Sequence, residues 1–208
     1  MPPVFPPASV YNLAIATSHN KTCRGDLFAV VLVGFMGAGK TSAGQELARL
    51  LHWPFVDLDD VIRTQSGREI AEIFQRSGES EFRRLESQAL KAVLSSSNAQ
   101  TVLAIGGGAF VQPENQELLR SIPARIVFLD ASPEILMARC RQHGVQRPLF
   151  QDENQFRQLY ESRRSSYMKA DLCLDTSQLS ISQVAAEVVK ALELILQIPV
   201  SKDSSDEV

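Results

Sequence analysis

Short runs of consecutive apolar residues alternate along this chain with longer stretches in which apolar residues recur every three or four positions. The short runs are rich in β-branched residues, a pattern typical of strands that are buried on both faces of a parallel sheet. They predict strands at residues 29–33, 54–59, 101–105, 125–129 and 172–174.

The longer stretches predict helices, because their apolar residues form one stripe that can pack on a core. Glycines 67 and 78 and prolines 113 and 133 mark helix ends. The predicted helices lie at residues 40–51, 60–65, 70–76, 79–95, 113–121, 133–142, 155–168 and 181–196. Strands that alternate with helices imply a parallel sheet covered on both faces, so the predicted class is α/β.

The domain organisation follows from the ends of this pattern. Residues 28–198 are predicted to form a single domain, which suits a chain of 208 residues. The Pro-rich segment 1–27 and the acidic segment 199–208 are predicted to be disordered extensions. Segment 1–27 lacks the basic and apolar regions of a secretory signal, although its Ser, Thr and basic residues leave organelle targeting as an alternative.

Composition narrows the classes of partner. A net charge of −3 provides no global basic field that would recruit nucleic acid or anionic lipid. No apolar run reaches the roughly 18 residues of a membrane-spanning helix. The three cysteines lie far apart, which fits neither a disulfide framework nor a zinc site and is typical of a reducing compartment. Any anion must therefore be bound by a local arrangement.

Such an arrangement is found between the first predicted strand and the first predicted helix. The segment from Gly34 to Thr41, GFMGAGKT, matches the pattern G-x-x-x-x-G-K-[ST] in full. Backbone N–H groups of this turn and the positive end of the helix are expected to face a phosphate chain. Lys40 can reach the β- and γ-phosphates, the Thr41 hydroxyl can bind Mg²⁺ and Ser42 can donate to the α-phosphate. The motif predicts a nucleoside triphosphate but does not identify the acceptor.

Two carboxylates, Asp57 and Asp59, lie at the end of the second predicted strand, at the edge where a parallel sheet binds ligands. Residues two apart on an extended strand point the same way, so both could face the ligand. One could hold Mg²⁺ through water, and the other could accept a proton from an attacking hydroxyl. The alternative is that they, or Asp60, only cap the following helix. The nearby phosphate-binding turn favours the functional interpretation.

Three consecutive glycines at residues 106–108 directly follow another predicted strand and would allow a ligand to approach the backbone closely, although a simple tight turn is the alternative.

Arg83, Arg147 and Arg163 are candidates for binding an anion, but each could equally be a solvated surface residue. Glu86 lies on the same helix face as Arg83 and could fix its guanidinium group. Arg84 and Arg164 are interpreted as surface residues.

Taken together, these motifs resemble the shikimate kinase family over nearly the whole predicted domain. The resemblance rests on seven motifs in the family's order and spacing, GFMGAGKT, FVDLDDVI, GREIAEIF, GESEFRRLE, AIGGGA, RPL and R-x-x-x-Y, the last formed by Arg163 and Tyr167. It implies a P-loop NTPase three-layer fold of the nucleoside-monophosphate-kinase type, with a five-stranded parallel sheet and a mobile lid.

The resemblance also implies roles on the nucleotide side of the site. The residues that would hold the nucleotide phosphates are Gly37, Ala38, Gly39, Lys40, Thr41 and Ser42. Thr41 and Asp57 would hold the metal ion. Arg147 would close over the phosphates from a lid at residues 143–154. A family arginine near the adenine has no clear match, because Gln178 or Leu179 falls at its position.

On the acceptor side, the resemblance implies that Asp59 binds the reacting hydroxyl and acts as the base. Arg83 and Arg163 would bind the shikimate carboxylate, and the backbone at Gly107 would contact shikimate. Glu86 would brace Arg83. Lys40, Asp59 and Arg147 would then form the catalytic set.

The implied reaction is phosphorylation of the 3-hydroxyl of shikimate in the pathway to chorismate and the aromatic amino acids. ATP would be the co-substrate and Mg²⁺ the cofactor, in a cytoplasmic monomer that binds neither nucleic acid nor membranes. A plastid location would apply only if segment 1–27 is a transit peptide.

Three alternatives remain open. A nucleoside-monophosphate kinase shares the fold, but Asp59 would repel a phosphate on its acceptor. A gluconate-type kinase is chemically closer, and the whole motif set argues against it. An inactive nucleotide-binding relative is the third alternative, and the presence of both Asp59 and Arg83 argues against it.

Overall fold

The computed structural model of this chain describes residues 11–12, 27–96, 100–142 and 152–197, with the side chains of residues 11–12 and 193–197 excepted. Most of the predicted extension at 1–27, the predicted acidic segment 199–208 and the lid residues 143–151 lie outside the described residues. Arg147 is among them.

A parallel sheet forms the centre of the molecule. Its parallel strands are β2 (Ala29–Val33), β3 (Phe55–Asp57), β4 (Thr101–Ala104), β5 (Ala124–Asp130) and β6 (Leu172–Asp175). They pair in the order β6-β5-β2-β4-β3, so β2 lies in the middle and is buried along its whole length. The predicted α/β fold with five parallel strands is confirmed.

One additional strand was not predicted. β1 (Tyr11–Asn12) pairs antiparallel with β6 at the edge of the sheet, with Tyr11 opposite Leu174. Leu27, assigned to the extension in the sequence analysis, is also part of the core, with 5% of its surface exposed. The next residue, Phe28, extends the hydrogen bonding of the sheet: Phe28 N donates to Pro123 O and Thr101 N donates to Phe28 O. Leu27 is held beside it, because Gln100 Nε2 donates to Leu27 O at 3.0 Å.

Helices cover both faces of the sheet, as βαβ crossovers require. They are α1 (Lys40–Leu51), α2 (Leu58–Ser66), α3 (Ile70–Ser96), α4 (Pro113–Arg120), α5 (Pro133–Gln142), α6 (Glu153–Tyr167) and α7 (Ile181–Gln197). Among the described residues, no helix is long and apolar enough to cross a membrane.

The local sequence accounts for the helix ends. Gly67 ends α2 in the left-handed conformation, with φ of 63°. Pro113 occupies the first turn of α4, where a missing N–H costs nothing. The carboxylate of Asp152 accepts from Asn154 N and so caps α6, which therefore begins two residues earlier than predicted. Helix α3 consists of two segments that meet at Gly78, the break expected from the sequence.

Candidate active site

A cleft of about 930 Å³ opens where the carboxyl ends of β2, β3 and β4 meet α5, α6 and α7. Nearly all the residues singled out from the sequence line it. These are Gly37, Ala38, Gly39, Lys40, Thr41, Ser42, Asp57, Asp59, Arg83, Glu86, Gly107 and Arg163. Residues that are up to 126 positions apart in the sequence, 37 and 163, therefore meet in one space.

The glycine-rich turn forms one end of this cleft. Gly37 and Gly39 have φ values of 79° and 81°, which L side chains rarely adopt. A Cβ atom on Gly37 would also lie 2.5 Å from the carbonyl oxygen of Leu136. Lys40 Nζ donates to the carbonyl oxygen of Gly34 at 2.9 Å, which places the cation at the turn and at the start of α1. This end is suited to a chain of phosphates.

Two oxygen ligands lie beside the turn. Thr41 Oγ1 donates to Asp57 Oδ2 at 2.7 Å, so a hydroxyl and a carboxylate share one point of the cleft. No group of three or more acidic, His or Cys side chains that could hold a metal exists among the described residues. Two hard oxygen ligands suit Mg²⁺, which usually keeps several waters and binds substrate phosphates. The donor set therefore fits Mg²⁺ and does not fit a metal held by protein ligands alone.

The relation between Asp57 and Asp59 differs from the prediction. β3 ends at Asp57 and α2 begins at Leu58, so Asp59 lies in the first turn of a helix and not on an extended strand. The carboxylate of Asp57 accepts from Asp59 N at 3.0 Å, which caps α2. Capping and cleft lining therefore coexist in Asp57, because its second oxygen faces Thr41. Both carboxylates line the cleft, as predicted, but for a different geometric reason.

Arg83 is held by two carboxylates of its own helix. Its Nη1 donates to Glu86 Oε2 at 2.7 Å and its Nη2 donates to Glu79 Oε1 at 3.0 Å. Burial acts to lower the pKa of Arg83, but the charges and hydrogen bonds of Glu86 and Glu79 outweigh it and raise that pKa. Arg83 is thus a fixed, permanent cation at the cleft surface.

Glu86 is a fully buried carboxylate. Its Oε2 also accepts from Gln112 Nε2 at 3.1 Å, a contact that the sequence analysis did not foresee. Its Oε1 has no hydrogen-bond partner among the described residues. Burial raises the pKa of Glu86, and the adjacent Arg83 acts in the opposite direction. The carboxylate is therefore destabilised by its surroundings and stabilised mainly by Arg83.

Each of the three consecutive glycines admits a polar group from another element. A Cβ atom on Gly106 would lie 2.5 Å from Glu86 Oε1, and one on Gly108 would overlap the guanidinium group of Arg83. A Cβ atom on Gly107 would lie 3.3 Å from the hydroxyl of Tyr167. The turn is therefore glycine-rich because side chains of α3 and α6 pack directly on its backbone.

Arg163, the other cleft arginine predicted to bind an anion, comes from α6. Its guanidinium carbon lies 5.9 Å from the ring centre of Phe35, a residue of the glycine-rich turn. Arg164 does not line the cleft; it donates to Asp130 Oδ2 at 3.0 Å and is partly exposed, in keeping with its interpretation as a surface residue. Arg83 and Arg163, two of the three arginines predicted to bind an anion, thus reach the same cleft from different helices.

Sequence reasoning missed the far end of the cleft. Arg139 Nη2 donates to the carbonyl oxygen of Thr176 at 2.7 Å and its Nη1 donates to Thr176 Oγ1 at 3.1 Å. Leu179 lines the same end. An arginine in the last turn of a helix is too common to stand out, although the position of Thr176 just after a predicted strand was an available signal.

Comparisons with known proteins agree with this geometry. A family model described as "Shikimate kinase" matches residues 36–193. A shikimate kinase of Thermodesulfovibrio yellowstonii is 40% identical over 167 residues, which cover 79% of this chain and 94% of that protein. A solved shikimate kinase from Acinetobacter baumannii in complex with shikimate is 34% identical with a TM-score of 0.75, and the match covers 83% of this chain and 96% of that one. A gluconokinase from Sinorhizobium meliloti, 16% identical with a TM-score of 0.56, over 82% of this chain and 94% of its own, shares the fold.

Proposed function

This chain belongs to the shikimate kinase family, and we propose that it transfers the γ-phosphoryl group of ATP to the 3-hydroxyl group of shikimate. The observation that carries this proposal is the composition of one cleft. A phosphate-binding turn, a carboxylate and two arginines converge there, and these are the groups that ATP, a reacting hydroxyl and a carboxylate acceptor require.

ATP is the co-substrate, and its triphosphate would lie on the glycine-rich turn. Lys40 would leave the carbonyl oxygens that it contacts in this structure and bind the β- and γ-phosphates. Thr41 and Asp57 would hold Mg²⁺, which neutralises phosphate charge when bound. The far end, formed by Arg139, Thr176 and Leu179, would receive the adenine. Arg147 would complete the phosphate site from the lid.

Asp59 would bind the acceptor hydroxyl and take its proton. The hydroxyl oxygen then forms a bond to the γ-phosphorus while the bond from that phosphorus to the bridging oxygen of ADP breaks. The proton moves to the carboxylate of Asp59, so charge and atoms balance. Most of the rate gain in such a transfer comes from positioning and electrostatic stabilisation.

Arg83 and Arg163 would bind the carboxylate of shikimate, and the backbone at Gly107 would contact the substrate. Guanidinium groups bind carboxylates bidentately, and Arg83 is already oriented by Glu86 and Glu79. We also propose that the protein is a cytoplasmic monomer.

An ADP-release assay with a panel of acceptors tests the function. Shikimate should support turnover, whereas gluconate, AMP and the absence of acceptor should give only background. Preferential turnover of gluconate would instead support a sugar-acid kinase.

A shikimate analogue with a neutral amide in place of the carboxylate should be a poor substrate. The Arg83→Ala variant should discriminate much less between acid and amide, and an unchanged ratio would show that Arg83 does not bind the carboxylate.

A further inference from the structure

Tyr167 is a fully buried phenol at the end of α6, packed against the triple-glycine turn. Its hydroxyl donates to the carbonyl oxygen of Gly107, the residue whose backbone faces the proposed acceptor. A Cβ atom on Gly107 would lie 3.3 Å from the same hydroxyl, so only a glycine backbone leaves this space fully open. The aromatic ring packs on Phe128 of β5, with 5.1 Å between ring centres.

Arg163 lies one helical turn earlier on α6, on the same helix face, and its guanidinium group interacts with the same hydroxyl. Burial raises the pKa of Tyr167 well above its ordinary value, and Arg163 lowers it by less. The phenol is therefore neutral at physiological pH, donates its proton to Gly107 O and offers its oxygen to the guanidinium group of Arg163. One oxygen atom thus joins the triple-glycine turn to Arg163.

We propose that Tyr167 is a positioning residue, whose hydroxyl holds the Arg163 guanidinium group and the Gly107 peptide in the arrangement that binds the acceptor. This inference rests on the proposed function, since it assigns the acceptor side of the same cleft. Without the hydroxyl, the partly buried carbonyl of Gly107 loses its partner and Arg163 loses a neutral acceptor that fixes its direction. The nucleotide side does not depend on this contact, because Lys40 and Thr41 are positioned by the glycine-rich turn and by Asp57.

Tyr167→Phe removes the hydroxyl and keeps the ring contact with Phe128, so it isolates the contribution of the hydroxyl. We expect the KM for shikimate to rise about tenfold, the cost of one lost buried hydrogen bond. The kcat and the KM for ATP should stay within about twofold of wild type. A purely structural role would instead lower the melting temperature and leave the KM for shikimate unchanged.

Tyr160→Phe is the matched control. Tyr160 is a second buried tyrosine of α6, and its hydroxyl donates to Asp130 Oδ1 at 2.8 Å, away from the cleft. This variant also loses one hydroxyl of α6, and we expect its KM for shikimate to equal that of wild type. An equal rise in both variants would overturn the proposal, because it would reflect a general loosening of α6.

The Arg163→Ala variant tests whether the Tyr167 hydroxyl affects the KM for shikimate through Arg163. In Arg163→Ala, adding Tyr167→Phe should raise the KM for shikimate by a smaller factor than in wild type, because the part of the effect that acts through Arg163 is already lost. Independent, multiplying effects would overturn the link to Arg163. If wild type phosphorylates shikimate and Tyr167→Phe does so with the same KM, only this inference fails. If wild type does not phosphorylate shikimate, the proposed function fails and this inference fails with it.

Discussion

At the scale of single residues, Glu86 shows a conflict between stability and the site. A buried carboxylate with one oxygen lacking a partner among the described residues is costly to the fold. It nevertheless contacts Arg83 at 2.7 Å and orients that group toward the cleft. The arrangement is best explained by the need for a fixed arginine.

The burial of Glu86 predicts how the melting temperature of Glu86→Gln depends on pH. Burial raises the pKa of Glu86 above 4.5, so between 4.5 and the raised value the native protein binds more protons than the unfolded chain. Stability contributed by this group therefore falls as pH rises through that window. The melting temperature of Glu86→Gln relative to wild type should increase as the pH is raised from 4.5 toward neutrality.

The same variant should bind shikimate more weakly, because Arg83 loses its buried, charged partner. Glu79→Gln is the control, since it removes the mostly exposed partner of the same arginine and should change both quantities little. A melting difference between Glu86→Gln and wild type that is constant with pH would contradict the role of burial.

Asp59 gives the sharpest prediction for the chemistry. Asp59→Asn keeps the size of the side chain and removes its charge and basicity. It should lower kcat by about 10²-fold or more, the usual effect of losing a general base. The affinity for ATP, measured by titration calorimetry, should remain, because the glycine-rich turn holds Lys40 and Asp57 holds Thr41. A variant with near-normal kcat would leave Asp59 as a binding residue only.

The motifs identified the candidate site residues from the sequence. They did not identify the residues that contact them in the folded protein. The spacing of Arg83 and Glu86 on one helix is a local property, and their hydrogen bond follows from it. Gln112 and Arg139 contact the cleft residues through tertiary packing, on which periodicity carries no information. Asp59 was placed correctly in the cleft for a wrong reason, because the strand ends two residues earlier than predicted.

At the scale of elements, the corner in α3 shapes the acceptor side. Both segments contribute to the cleft, Ile70 and Phe74 from the first and Arg83 from the second. The rings of Phe74 and Phe82 lie 4.5 Å apart across the corner. Gly78 makes the corner with φ of 78° and ψ of 176°, a conformation that is essentially restricted to glycine.

Gly78→Ala should therefore lower the free energy of unfolding by about 1–3 kcal/mol and raise the KM for shikimate. Urea denaturation and steady-state kinetics measure the two effects. Gly67→Ala is a matched control, because an added Cβ has nothing within 4 Å at either position and Gly67 has a left-handed conformation, with φ of 63° and ψ of 19°. It should cost about 1 kcal/mol and leave the KM unchanged. Equal effects of the two variants on the KM would contradict a special role for the corner.

At the scale of the whole molecule, the alternation of strands and helices was readable because a parallel sheet buries its strands on both faces and so leaves continuous apolar runs. The order of the strands was not readable from periodicity, because it depends on which distant segments pair with one another. Leu27 is buried in the core although the predicted domain begins at residue 28. The sequence did not predict that Leu27 is buried, because it follows a polar stretch, from Thr22 to Asp26, that has no periodic pattern.

The boundary leads to a prediction about the amino-terminal segment. Deleting residues 1–26 removes β1, whose pairing with β6 involves only two residues. Each backbone hydrogen bond contributes about 1 kcal/mol net, and ordering the segment offsets part of this. We therefore expect the melting temperature to fall by only about 2–4 °C. Activity should be unchanged, because Thr176 in the cleft remains bonded to Asp130 O of β5 at 2.8 Å.

The stability cost of the substitution Leu27→Ala can be compared with that of deleting residues 1–26. Leu27→Ala in the full chain removes a buried side chain from the core and should cost about 2–5 kcal/mol, more than the whole deletion. The reason is that Leu27 belongs to the core, whereas β1 only covers one edge of the sheet. Thermal melting of the two variants beside wild type measures the difference. If the deletion costs more than the substitution, or raises the KM for ATP, the amino-terminal segment supports the nucleotide side of the cleft through β6.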